Sequence, residues 1–77
     1  MIKPIVLYSS NGCPLCGRYR AMFDEQGVTY DERNITENPS FLTELNGMGM
    51  MATPVVVVGD QAIPGYRPNT ISDLLAA

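Results

Sequence analysis

The chain has 77 residues, five Lys/Arg against eight Asp/Glu, a net charge of −3, two cysteines and no histidine. That length points to one small domain, 1–77, which buries only about 60% of its unfolded surface. The acidic balance without any Lys/Arg cluster argues against a nucleic-acid partner. The apolar run in "MIKPIVLYSSNG" is too short for a signal peptide or a membrane span.

"IVLY" (5–8) is rich in β-formers and bounded by Pro4 and Ser9, which predicts a buried strand. After the turn residues Ser9 to Gly12, apolar residues fall at Leu15, Tyr19, Met22 and Phe23, the spacing of an amphipathic helix. Pro14 suits its first turn and Gly27 its end. "VTYDER" (28–33) alternates like a half-buried strand. Asn38-Pro39 starts a second helix with an apolar face of Phe41, Leu42, Leu45 and Met48, stopping at Gly47. "VVVV" (55–58) reads as a strand buried on both faces. Gly59-Asp60 turns into a short strand, Gln61 to Ile63, and a third helix begins near Asn69 with Ile71, Leu74 and Leu75 on one side. The order βαβαββα describes an α/β fold, a four-stranded mixed sheet flanked by three helices on its two faces.

Both cysteines lie in "SSNGCPLCGR" (9–18), at the predicted strand-to-helix junction. As a structural staple the pair is poor, since so short a ring offers only about 2 kcal/mol. At a helix start, unpaired N–H groups and the helix dipole favour a thiolate at Cys13. Cys16 falls one turn later with its side chain directed back toward Cys13. The pair therefore reads as a dithiol: the first sulfur attacks a substrate disulfide and the second resolves the mixed disulfide. A structural zinc site needs about four Cys/His ligands and an iron–sulfur cluster about four thiolates, so either would require a second chain or outside ligands. Thr53-Pro54 leads into the most buried strand, a position where proline needs no ladder partner; it ends the preceding loop or lies against the cysteine pair. Tyr8 lines the site's edge or fills the core. Met48, Met50 and Met51 suit either an adaptable protein-binding surface or core filling. Arg18 and Arg20 are expected on a solvated helix face.

With "CPLC" after the first strand, "TPVVVVGD" at the proline-led strand and "GYRPNTISDLL" at the end, the chain resembles the thioredoxin-fold redoxins over nearly its whole length. Among them it is most similar to the glutaredoxin-like NrdH-redoxins, electron donors to class Ib ribonucleotide reductase, which carry a G-F-R-P segment before their last helix. The resemblance implies the thioredoxin/glutaredoxin fold, Cys13 as attacking thiol, Cys16 as resolving thiol, and Pro54 as a cis-proline. It also implies a late loop of Gly65, Tyr66, Arg67 and Pro68. Pro14, Leu15, Tyr8 and Thr53 would support the site. No bound cofactor or metal is expected beyond the redox-active Cys13–Cys16 disulfide. The implied partners are ribonucleotide reductase and thioredoxin reductase, for a soluble, cytoplasmic monomer. The double glycine and acidic pair with which ordinary glutaredoxins hold glutathione are absent from "IPGYRPN". Two departures stand out. Ile63-Pro64 replaces the Trp-Ser that commonly precedes G-F-R-P, and Pro14-Leu15 is closer to the proline–aromatic pair of glutaredoxins. A glutathione- or mycothiol-linked glutaredoxin and an iron–sulfur module therefore stay open as alternatives.

Overall fold

The structure is a computed structural model and describes residues 4–76; the ends of the expected domain, 1–3 and 77, lie outside the described residues. Strand β1 (Ile5–Ser9) leads into helix α1 (Pro14–Glu25), which returns the chain to β2 (Asp31–Asn34). Helix α2 (Pro39–Gly47) precedes β3 (Val55–Val58), β4 (Gln61–Pro64) and α3 (Pro68–Ala76). The sheet order is β2-β1-β3-β4. β1 runs parallel to β2, and antiparallel to β3, which forms an antiparallel hairpin with β4.

Period-two alternation along β1 and β3 divides the core. Leu7 lies opposite Val56 and Ile5 opposite Val58. These four pack with Tyr19, Phe23 and Ile71, so α1 and α3 cover one face. The intervening residues Val6, Tyr8, Val55 and Val57 face the other way, against Phe41 and Leu45 of α2. The continuous valine run is thus buried from both sides, as its composition predicts.

Boundaries in four elements, β1, β2, β4 and α3, and two helix faces differ from the sequence reading. β2 begins at Asp31, three residues late, because Val28 is spent on ending α1. Its N–H donates to the Phe23 carbonyl at 2.9 Å while the Gly27 N–H donates to Asp24 at 3.2 Å. This is the Schellman pattern, with Gly27 at φ +66°. Helix α2 stops at Gly47 as expected, and the left-handed turn that closes it falls at Gly49 (φ +80°). There the Met50 N–H reaches the Leu45 carbonyl at 3.1 Å and the Gly49 N–H reaches Asn46 at 2.9 Å. β1 runs on through Ser9 and β4 through Pro64, while α3 opens at Pro68. On α1 the buried stripe is Cys16, Tyr19 and Phe23, and Leu15 stands out toward solvent. On α2 only Leu45 is fully buried; Leu42 and Met48 are exposed.

Candidate functional site

Cys13 is the N-cap of α1, in an extended conformation, with Pro14 in the first turn where no N–H partner is needed. Its sulfur accepts the Cys16 N–H at 3.2 Å, the capping bond usually made by a serine or aspartate oxygen. Cys13 and Cys16 are joined as a disulfide, their Cα atoms 5.3 Å apart. The two sulfurs are not equivalent. Cys16 is fully buried on the inner face of α1, whereas Cys13 is half-exposed. Cys13 opens onto a depression of about 560 Å³ lined by Ser10, Asn11, Gly12, Pro14 and Arg20. Pro14 and Leu15, between the cysteines, are both exposed, so the motif presents two apolar side chains beside the pair.

The Thr53–Pro54 bond is cis. Pro54 is buried and Thr53 half-buried at the entrance to β3. The Thr53 hydroxyl shares a hydrogen bond of 2.6 Å with the Ser10 hydroxyl, tying the proline loop to the loop that carries Cys13. The late loop is tied to the same strand, since the Gly65 N–H donates to the Pro54 carbonyl at 2.9 Å. Met51, two residues before Thr53, is 87% exposed, while Met50 packs into the α2-side core. The methionines thus divide between the surface, with Met48 and Met51, and the core, with Met50.

Tyr8 lies in the α2-side core with Leu45 and Val55. Its hydroxyl donates to Glu44 Oε1 at 2.9 Å, and Arg33 closes the group with Nη1 on Glu44 and Nε on Asp31. Burial, and then the bond to Glu44, raise the Tyr8 phenol above its ordinary value. Tyr8 therefore joins β1 to α2, and its described contacts serve the core. Arg18 is exposed as expected, but Arg20 is not a solvated cation. Its Nε lies 2.9 Å from both Glu32 oxygens and its Nη2 2.8 Å from Oε2. The fully buried Ser9 hydroxyl donates to the same carboxylate at 2.8 Å. The Arg20 bond, reinforced by Ser9, holds the Glu32 carboxyl below the usual carboxylate range. Sequence reading also missed Tyr19 as more than a core residue. Its hydroxyl donates to the Gly65 carbonyl and accepts the Arg67 N–H, each at 2.8 Å. The signal in the sequence was a tyrosine, rather than a purely apolar residue, one turn after Cys16.

A family model described as Glutaredoxin matches residues 5–63. The glutaredoxin-like protein NrdH of Lactococcus lactis is 34% identical over 70 residues, 91% of this chain and 97% of that one. The chain belongs to the glutaredoxin family, in its NrdH branch. The Escherichia coli NrdH protein is 29% identical over 70 residues, 91% of this chain and 86% of that one. The solved NrdH-redoxin structure from E. coli superposes with a TM-score of 0.83 at 28% identity, covering 92% of this chain and 93% of that one. The four-stranded mixed sheet with three helices is accordingly the thioredoxin/glutaredoxin fold, and the chain is a dithiol thiol–disulfide oxidoreductase. Among the described residues, no group of three or more His, Cys, Asp or Glu is placed to hold a metal ion. No helix among them is long and apolar enough to cross a membrane.

Proposed function

We propose that this NrdH-like glutaredoxin is an electron donor to protein disulfides, with Cys13 as nucleophile and Cys16 as resolving thiol. In the reduced protein the Cys16 N–H and the start of α1 stabilise a thiolate at Cys13. That thiolate attacks one sulfur of a substrate disulfide. A Cys13–substrate bond forms, the substrate S–S bond breaks, and the departing sulfur takes up a proton. The Cys16 thiolate then attacks the Cys13 sulfur, closing the Cys13–Cys16 disulfide and releasing the second substrate thiol. Two electrons have passed from the cysteine pair to the substrate, and the two protons lost when Cys13 and Cys16 ionise balance those taken up by the two substrate thiols. The observation that carries this assignment is the asymmetry of the pair. Cys13 is half-exposed at the helix cap, whereas Cys16 is fully buried and bonded to Cys13.

The finer reading is that the target is ribonucleotide reductase and that thioredoxin reductase, fed by NADPH, recharges the disulfide. The protein acts as a monomer in the cytoplasm. The thioredoxin-like activity profile of the E. coli NrdH-redoxin supports it. So does the charge at the site. Glutathione has two carboxylates, and a pocket for it needs free cations or fixed donors. The cation lining the depression beside Cys13 is Arg20, and its guanidinium is already engaged by Glu32. Exposed Leu15 and Met51 suit a protein surface better than a charged tripeptide. The test is NADPH oxidation in two matched coupled assays, one with thioredoxin reductase, the other with glutathione and its reductase. Faster turnover with thioredoxin reductase is expected. Equal or faster turnover with glutathione would refute the NrdH-type electron source and leave a glutathione-linked glutaredoxin.

A further inference from the structure

Tyr19 sits three residues after Cys16 on the same buried face of α1, and both residues have no exposed surface. Its side chain grips three consecutive residues of the late loop. The hydroxyl donates to the Gly65 carbonyl at 2.8 Å and accepts the Arg67 N–H at 2.8 Å. The ring meets the Tyr66 ring edge-on, with centroids 4.8 Å apart and planes at 63°. On its other side it stacks on Phe23 at 5.8 Å. The Gly65 N–H meanwhile holds the loop to Pro54, and Thr53 holds that segment to Ser10. The late loop is thus suspended between the entrance to β3 and the helix that bears the cysteines.

We propose that Tyr19 is a positioning residue whose hydroxyl fixes the Gly65–Arg67 loop against the Cys13–Cys16 helix, and so shapes the rim that receives a protein disulfide. This rests on the reading of the chain as a reductant of protein disulfides. A core filler needs no hydroxyl: phenylalanine has nearly the same volume but would leave the Gly65 carbonyl and the Arg67 N–H without their partner. A buried tyrosine hydroxyl is retained where it finds hydrogen bonds, and this one uses its single donor and one acceptor site on the loop backbone. Burial raises the Tyr19 phenol above its ordinary value, which keeps the donating proton in place. Gly65 and Arg67 are exposed, so what Tyr19 positions is surface. The sulfurs themselves are fixed by the α1 cap and do not need the loop. Tyr19 should therefore act on docking of a large substrate and not on thiol chemistry.

The test compares the pre-reduced wild-type protein with Tyr19→Phe in single turnover against two oxidants. One is oxidised insulin over a range of concentrations. The other is 2-hydroxyethyl disulfide, which is too small to reach the loop. The half-saturating insulin concentration should rise about fivefold in Tyr19→Phe, the loss expected for one neutral hydrogen bond. The limiting rate and the rate with the small disulfide should stay within about twofold. A hydroxyl with a purely stabilising role would lower the melting temperature and leave the ratio between the two oxidants unchanged; that result overturns the proposal. Hydrogen exchange at the Arg67 amide gives a reading that does not depend on the variant folding. Slow exchange in the wild type supports the proposal, and exchange at the rate of an open loop overturns it. A wild-type protein that fails to reduce insulin at all overturns the function proposed above together with this inference. An active wild type with an indistinguishable Tyr19→Phe overturns this inference alone.

Discussion

Replacing Glu32 by glutamine removes a charge and little else, so it isolates the ion pair beside the dithiol helix. Glu32 sits on the edge strand β2, and Arg20 on α1 reaches it with three contacts of 2.8–2.9 Å. The side chains keep 38% and 28% of their surface, Arg20 and Glu32 respectively, so solvent screens the pair. Exposed ion pairs are worth about 0.2–1 kcal/mol, and a bidentate arginine–carboxylate pair belongs at the top of that range. Ser9 adds to it. Its buried hydroxyl keeps an acceptor in the glutamine variant but loses the charge-assisted bond. The expected cost of Glu32→Gln is therefore about 1 kcal/mol. Glu32→Ala also strands the Ser9 hydroxyl and should cost about 2–3 kcal/mol in total. In a domain of this size, each 1 kcal/mol lowers the melting temperature by about 4–8 °C.

The pH dependence separates the ion pair from mere packing. Glu32 has a folded-state pKa below the ordinary 4.5, chiefly through its bond to Arg20. A depressed carboxylate contributes stability that is fully present above the unfolded value and is lost as pH falls through the lower folded one. The gap between wild type and Glu32→Gln should thus be full at neutral pH and close in acid. Urea melts of the oxidised proteins across that range measure it. A gap that persists in acid, or no gap at neutral pH, would show that the carboxylate charge contributes nothing.

Three further outcomes follow from the same geometry. Cys16→Ser should accumulate a mixed disulfide with substrate through Cys13 and Cys13→Ser should not, as mass spectrometry of the quenched mixture will show; trapping by the Cys13 variant would reverse the assignment. Leu45→Ala removes the only fully buried side chain of α2 and should cost about 2–5 kcal/mol in a urea melt; a loss under 1 kcal/mol would mean that α2 is not held by the core described here. Gly27→Ala meets open space, yet φ is +66°, so its cost is backbone alone, about 1–2 kcal/mol by thermal melting; no loss would mean that the end of α1 relaxes without its left-handed turn.

Hydrophobic period and punctuation made the fold legible. The valine run, the Asn38-Pro39 start and the glycines marked elements because backbone geometry and burial act locally. Where reading by period failed, a competing local demand had won. Leu15 is the case on α1. An apolar residue at that position suits the helical spacing, but the buried stripe is set by Cys16, so Leu15 is turned outward beside the cysteines. Val28 is the case on β2, where the alternating pattern continued through a residue whose N–H was needed to close the helix.

The cysteine pair was legible for the same reason the elements were: four consecutive residues carry the helix start, the cap and both sulfurs. What surrounds the pair was not, because it is assembled from residues far apart in sequence. Ser10 meets Thr53, Pro54 meets Gly65, Arg20 meets Glu32, and Tyr19 meets Gly65 and Arg67. No local rule pairs these residues; the sheet order and the seating of α1 do. The tryptophan that NrdH-redoxins commonly carry before the late loop is replaced here by Ile63-Pro64, which supplies no side-chain donor. The loop is held here by a tyrosine on the helix of the cysteines. The Gly65 C=O and the Arg67 N–H find the Tyr19 hydroxyl on α1 as their partner. One of the loop's restraints therefore comes from the same helix as the redox pair and another from Pro54 at the entrance to β3, so the proposed role of Tyr19 is to couple α1 to the rim.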